Sequence, residues 1–179
     1  MPPPMPPTDD LKRKIRDIPN FPKQGIIFKD ITPLLADARS FQKVIDLFAK
    51  RYADRSIDMI VGIESRGFIF APALAYRIGA GFVPVRKKGK LPYKTESVEY
   101  ALEYGTDTVE IHQEALHAGS RVLIVDDLLA TGGTARAACA LVQKTGGQVV
   151  ECAFVIELAF LKGREKLKGY EVFSLMDLS

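Results

Sequence analysis

The sequence has little of what several kinds of protein require. Only two cysteines occur in its 179 residues, Cys139 in a helical stretch and Cys152 in a strand-like one, with no metal spacing. Such a pair reads as small buried hydrophobes in a reducing compartment, not as a disulfide or a catalytic thiol. The two histidines, His112 and His117, lack a third ligand at useful spacing and read as surface residues. A formal net charge of +3 is too weak to imply a nucleic acid or a membrane as partner. No apolar run approaches the length that crosses a bilayer. Residues 1–7, Met-Pro-Pro-Pro-Met-Pro-Pro, have neither the basic nor the apolar region of a secretory signal. They read as a disordered, polyproline-like tail, and a cytoplasmic location is expected. There are no internal repeats and no dividing linker, so a single domain over 1–179 is expected.

What is present centres on residues 121–138. Val122 to Val125 are uninterruptedly apolar and rich in β-branched side chains, as in a strand buried on both faces of a parallel sheet. The run meets two adjacent carboxylates, Asp126 and Asp127. At a strand end such acids face the crevice where open α/β sheets bind ligands, and offer oxygens to sugar hydroxyls or to a metal ion. A Leu128-Leu129-Ala130 linker then leads to Thr131-Gly132-Gly133-Thr134 and an Ala-rich helix. The glycines permit close backbone approach, and the helix start offers free N–H groups and a positive dipole end. A phosphate with a ribose beside it satisfies all of these groups at once. A Walker-type site is excluded, because Thr134 stands where that loop needs a lysine.

A second site of the same design lies upstream. Met59 to Ile63 reads as a buried strand that ends in Glu64-Ser65-Arg66-Gly67 and enters a helix over 68–77. The Arg66 guanidinium suits a pair of phosphate oxygens. A third strand, Phe82 to Val85, is followed by Arg86, Lys87, Lys88 and Lys90, positive charge fit for a polyanion. Residues 92–113 alternate polar and apolar, which predicts an exposed hairpin turning at 104–107. Thr8-Asp9-Asp10 starts a helix expected to reach Arg16 or Asp17, before Pro19 and Pro22. Gly25 to Pro33 reads as an edge strand or lid, 38–52 as an amphipathic helix, and 149–158 and 170–175 as further strands. The predicted fold is α/β, a mostly parallel central sheet flanked by helices, with a small N-terminal hood over residues 8–35.

The stretch Val122 to Thr134 resembles the phosphoribosyl-pyrophosphate motif of the type I phosphoribosyltransferases, and Leu128-Leu-Ala-Thr-Gly-Gly-Thr134 resembles most the branch that uses adenine. The segment Pro22 to Thr32 is similar to that family's base-binding hood, Leu102-Glu103-Tyr104-Gly105 to the tip of its catalytic loop, and Leu161-Lys-Gly-Arg-Glu-Lys-Leu167 to a further signature. The resemblance implies a glycosyltransferase of purine salvage that makes AMP and pyrophosphate from adenine and phosphoribosyl pyrophosphate. It assigns Asp126, Asp127, Ala130, Thr131, Gly132, Gly133 and Thr134 to the ribose 5-phosphate. Glu64, Ser65, Arg66, Arg86 and Lys90 go to the pyrophosphate, with a cis peptide at Glu64–Ser65. Ile27, Phe28, Lys29 and Leu158 go to adenine. Glu103 becomes the proton acceptor or relay near the base, Tyr104 covers the reaction centre, and Arg66 is counted with them as catalytic. The resemblance also implies Mg²⁺, held mainly through substrate oxygens with Asp126 and Asp127 as candidate ligands, and a homodimer. Members acting on 6-oxopurines carry an Asp, their usual proton acceptor, where this chain has Ala130. That departure argues against hypoxanthine and guanine, and Ile27 and Ala130 together argue against xanthine or a pyrimidine. A non-catalytic sensor of phosphoribosyl pyrophosphate would carry a DNA-binding segment, for which about eight residues before the first helix leave no space.

Overall fold

The computed structural model describes residues 6–179. Most of the tail expected over 1–7, residues 1–5, lies outside the described residues, and Pro6 and Pro7 belong to no helix or strand. The chain divides into two compact units, Met1–Leu47 and Phe48–Ser179.

In the first unit, helix α1 spans only Asp9–Lys12, so the helix predicted to reach Arg16 or Asp17 is corrected. Arg16–Pro19 is strand β1, paired antiparallel with β2, Ile27–Asp30. Pro19 disfavours a helical Ile18 before it. The register also sets Arg16 opposite Asp30 and Asp17 opposite Lys29, and both pairs close as ion pairs at 2.6 Å. A short helix α2, Thr32–Ala36, follows, with Pro33 in its first turn where the missing N–H costs nothing. Helix α3, Ala38–Tyr52, begins in this unit and ends in the next, with the bounds its periodicity predicts.

The second unit is built on a seven-stranded sheet. Its strands are β3 (Met59–Ile63), β4 (Gly81–Lys87), β5 (Thr95–Ala101), β6 (Thr106–His112), β7 (Arg121–Leu129), β8 (Gln148–Glu157) and β9 (Val172–Asp177). Their spatial order is β5-β6-β4-β3-β7-β8-β9. The run from β4 through β9 is parallel, and β6 and β5 extend it antiparallel. Helix α4 (Gly67–Ile78) connects β3 to β4 on one side, and α5 (Gly133–Lys144) connects β7 to β8 on the other. The strand order therefore reverses between β3 and β7, and the crevice at their C-terminal ends is where such sheets bind ligands. Val122 to Val125 and Cys152 to Ile156 are essentially inaccessible, as strands covered on both faces must be. The pattern of apolar runs predicts this architecture correctly.

Three local expectations are corrected. Strand β7 does not stop at Val125: it continues through both carboxylates to Leu129, because β8 runs alongside with Asp126 opposite Phe154 and Leu129 opposite Glu157. The hairpin turns at 102–105, closed by the Leu102 N–H donating to the Gly105 carbonyl at 2.9 Å, so Thr106 and Asp107 already belong to β6. The hairpin is also not exposed throughout. Val109, Glu110 and Ile111 are buried because β6 pairs with β4 through Arg86↔Glu110 and Lys87↔Val109. At its end His112 is half-buried, edge-on to Tyr93 at 6.4 Å, and its Nε2 has no hydrogen-bond partner among the described residues. His117 is exposed as expected. Cys139 and Cys152 are free and fully buried, with their sulfurs 3.4 Å apart between α5 and β8.

Candidate active site

The site grows from the ends of β3 and β7. Within β7 the alternation of a strand turns Asp126 and Asp127 to different surroundings. Asp127 is 4% exposed, and its Oδ2 lies 2.8 Å from the Arg66 Nε. That contact is one of charge, since the same buried oxygen has no aligned hydrogen bond. Asp126 is half-buried, and its Oδ1 accepts the Asp127 backbone N–H at 2.8 Å. Withdrawal from water, and then the adjacent Asp127 charge, push the Asp126 carboxyl well above the ordinary carboxylate range, against the pull of the Asp127 N–H and Arg66. A cation placed here would reverse that balance. Gly67 makes room: a Cβ on it would sit 3.0 Å from the Asp126 Oδ1 and 3.0 Å from the Val125 carbonyl oxygen.

Two adjoining clefts open at this point and share Asp126, Leu128 and Thr134. One is lined by Glu64, Ser65, Arg66, Lys87 and Asp127 as well, the other by Ala130, Thr131, Gly132 and Gly133. The second wraps the N-terminus of α5, a 12-residue helix whose N-cap Gly132 has φ +85°. The backbone N–H groups there and the helix dipole favour an anion, and Asp126 at the rim favours hydroxyls. The Glu64–Ser65 peptide is cis, as the resemblance implies.

The structure brings Glu64, Ser65, Arg66, Asp126, Asp127 and the 130–134 turn together. It gathers Arg86 and Lys90 one step away, around Glu64. The Arg86 Nη2 lies 3.4 Å from Glu64 Oε1, the Lys90 Nζ bonds the same oxygen, and the Lys87 N–H donates to Oε2 at 2.9 Å. Burial opposes the Glu64 charge, but Lys90, the Lys87 N–H and Arg86 outweigh it and hold the carboxyl down at about 2. The Arg86 Nε is buried without a hydrogen-bond partner. Glu103 and Tyr104 are exposed at the hairpin tip and do not line either cleft. Leu158 is buried at the end of β8. In the first unit Ile27 is 56% exposed, Phe28 meets Phe21 edge-to-face, and Lys29 is held by Asp17.

Sequence reasoning passed over Lys87, Tyr100 and Asp107. Lys87 lines the cleft and pairs with Asp107; the Tyr100 hydroxyl donates to Asp107 at 3.4 Å and accepts from the Thr134 hydroxyl at 3.2 Å. Lys87 stood inside the basic run, but nothing in the spacing singled it out. Tyr100 and Asp107 meet only because β5 and β6 pair across that register.

The donor set fits a hard divalent ion only in part. No cluster of three or more His, Cys, Asp or Glu side chains able to hold a metal occurs among the described residues. Asp126 with the buried, unaligned Asp127 Oδ2 instead suits Mg²⁺, which binds through one or two carboxylates plus substrate oxygens and keeps its waters.

Comparison with known proteins shows the family of the chain. A family model described as the phosphoribosyl transferase domain matches residues 30–176. The adenine phosphoribosyltransferase of Syntrophotalea carbinolica is 60% identical over 168 residues, covering 94% of this chain and 98% of that protein. The crystal structure of adenine phosphoribosyltransferase from Thermoanaerobacter pseudethanolicus superposes with a TM-score of 0.94 at 55% identity, covering 96% of this chain and all (100%) of that one. The Saccharomyces cerevisiae enzyme, solved with adenine and an imino-altritol bisphosphate, gives a TM-score of 0.90 at 48% identity over 94% of this chain and 98% of that one. The chain belongs to the phosphoribosyl transferase family, in its adenine phosphoribosyltransferase branch.

The Glu64 carboxyl generates a prediction. Its folded-state pKa, about 2, lies below its ordinary value of 4.5, so its contribution is fully present above pH 4.5 and is lost as pH falls toward 2. Urea midpoints followed from neutral pH down through that window should fall more steeply for the wild type than for Glu64→Gln. Parallel curves would show that the carboxylate gains nothing from its three partners.

Proposed function

We propose that this chain transfers the 5-phosphoribosyl group from phosphoribosyl pyrophosphate to adenine, giving AMP and pyrophosphate in purine salvage. One observation carries the reading: the acids of β7 run into the 131–134 turn at the N-terminus of α5, with Arg66 facing them from β3. A phosphorylated ribose spans those groups, and the Saccharomyces relative, solved with adenine, supplies the acceptor base.

At the anomeric carbon the bond to pyrophosphate breaks and a bond to a purine nitrogen forms from the opposite face. Negative charge grows on the leaving group and positive charge on the ribose, so rate comes from positioning and electrostatics. Asp126 and Asp127 hold the ribose hydroxyls. Thr131, Gly132, Gly133 and Thr134, with Ala130 at the turn's entry, hold the 5′-phosphate through N–H groups and hydroxyls. Glu64 and Ser65 shape the pyrophosphate loop, and Arg66, Arg86 and Lys90 receive the departing charge. Bound Mg²⁺ supplies Lewis-acid neutralisation of pyrophosphate oxygens. Within the 8–35 hood the Ile27 backbone reads the base edge, accepting from the amino group and donating to a ring nitrogen, as the resemblance implies. Phe28, Lys29 and Leu158 complete the base contacts. Glu103 accepts the purine proton and Tyr104 covers the centre. Ala130 cannot accept a proton, which argues against hypoxanthine and guanine and moves the acid–base work to Glu103.

The same resemblance carries a homodimer, and the weak net charge and short apolar runs support a cytoplasmic protein without nucleic-acid or membrane partners. Among the described residues no helix is long and apolar enough to cross a membrane.

The test is pyrophosphate release from phosphoribosyl pyrophosphate and Mg²⁺ with adenine, hypoxanthine, guanine and xanthine offered separately. Turnover with adenine alone is expected, and turnover with an oxopurine would overturn the base assignment. Glu103→Gln should lower kcat by about 100-fold or more, within the range of general acid–base catalysis. Wild-type turnover in that variant would remove Glu103 from the mechanism.

A further inference from the structure

The segment Leu161–Leu167 is the one sequence signature to which the reaction assigns no task. It follows β8 as two short 3-10 turns, Ala159–Leu161 and Gly163–Leu167, joined by Lys162 in the left-handed region at φ +55°. The parallel pair β7–β8 ends level, with Leu129 opposite Glu157 and the Leu158 N–H donating to the Leu129 carbonyl at 3.0 Å. From that last rung one chain becomes the 130–134 turn and the other becomes the 159–167 segment, and the two lie directly against each other. A Cβ on Gly132 would fall 2.5 Å from the Gly163 carbonyl oxygen, and a Cβ on Gly163 would fall 2.5 Å from the Ala130 carbonyl oxygen. Backbone rests on backbone, and neither glycine has room for a side chain.

That contact is only as fixed as the segment behind it. Glu157, 6% exposed, takes two parallel bonds from Arg164, Nε to Oε1 at 2.8 Å and Nη2 to Oε2 at 2.7 Å. The Ser174 hydroxyl donates to the same carboxylate at 2.7 Å, and Arg164 Nη1 donates to the Val172 carbonyl at 2.9 Å. A bidentate pair with a buried acceptor restricts orientation as well as distance. Arg164 is adjacent to Gly163, so fixing its guanidinium to β8 and β9 fixes the peptide that supports Ala130 to Gly132.

We propose that Glu157 and Arg164 are positioning residues for the 5′-phosphate: they hold the 159–167 segment as a backing that keeps the 130–134 turn in its anion-binding shape. The proposal rests on the reading of that turn as the ribose 5-phosphate site. Because the 5′-phosphate is held alike in the ground and transition states, loosening its cradle should raise KM for phosphoribosyl pyrophosphate and leave kcat nearly unchanged.

The experiment compares Arg164→Ala, Arg164→Lys and Gly163→Ala with Arg51→Ala in the full chain. Arg51 makes an equally built pair with buried Glu151 near the other end of β8, at 2.9 and 2.7 Å, away from the clefts. Arg164→Ala and Gly163→Ala should raise KM for phosphoribosyl pyrophosphate about tenfold, the scale of a small misplacement of binding groups. Arg164→Lys should recover part of the loss, and Arg51→Ala should lower the melting temperature while KM stays at the wild-type value. An unchanged KM in Arg164→Ala, or an equal rise in Arg51→Ala, would overturn the proposal. If Arg164→Ala does not fold, Arg164→Lys and Gly163→Ala give the same decision. Calorimetric titration separates the two levels: a wild type that binds no phosphoribosyl pyrophosphate removes the site reading and this proposal with it. Equal binding by wild type and Arg164→Ala removes the proposal alone.

Discussion

Two adjacent carboxylates at the end of a strand buried on both faces are the constraint on which the rest depends. Charge so placed is costly unless it is paired or bound. The chain meets the cost unequally. Asp127 receives the Arg66 guanidinium from the neighbouring strand–loop–helix unit, and Asp126 opens on the clefts with its affinity for protons raised. The pair thus joins β7 to the loop after β3, which are the two strands flanking the point where the sheet reverses its order. One ion pair and one cleft-facing carboxyl come from the same dipeptide.

The neighbouring features follow from that placement. Gly67 permits α4 to begin against Asp126, and Gly132 permits α5 to begin against the 159–167 segment. The positive ends of two helices are therefore brought to one crevice that also contains the acids. Positive side chains collect at its edge: Glu64 holds Arg86 and Lys90 and accepts from the Lys87 backbone N–H, while the Lys87 ammonium pairs with Asp107. Such an arrangement suits a substrate whose leaving group departs with its charge, because the cations need only exchange one carboxylate for phosphate oxygens.

Much of this was legible in the sequence, for physical reasons. Val122 to Val125 and Met59 to Ile63 could be read as buried strands because parallel strands covered on both faces are continuously apolar. The Gly-rich turn could be read as an anion site because its function is performed by backbone. Elements whose limits are set by a partner were less legible. Strand β7 runs to Leu129 because β8 lies beside it, and α1 ends at Lys12 because β1 finds β2. The buried character of β6 depends on β4, which lies far off in the chain. The chain of contacts Lys87–Asp107–Tyr100–Thr134 was invisible for the same reason: register sets Tyr100 opposite Asp107, and tertiary packing brings Lys87 and the start of α5 to them. The neighbouring sulfurs of Cys139 on α5 and Cys152 on β8 likewise meet only through tertiary packing.

The claim that the β7 acids and the α5 turn form one ribose-phosphate site is tested most directly by calorimetry. Phosphoribosyl pyrophosphate with Mg²⁺ would be titrated into the wild type and into the Asp126→Asn, Asp127→Asn double variant, with folding verified by thermal melting. The wild type should bind one equivalent per chain, and the double variant should bind about 100-fold more weakly or not at all, the scale of losing two charge-assisted hydrogen bonds. Equal affinity in a folded double variant would contradict the claim and place the sugar phosphate elsewhere on the protein.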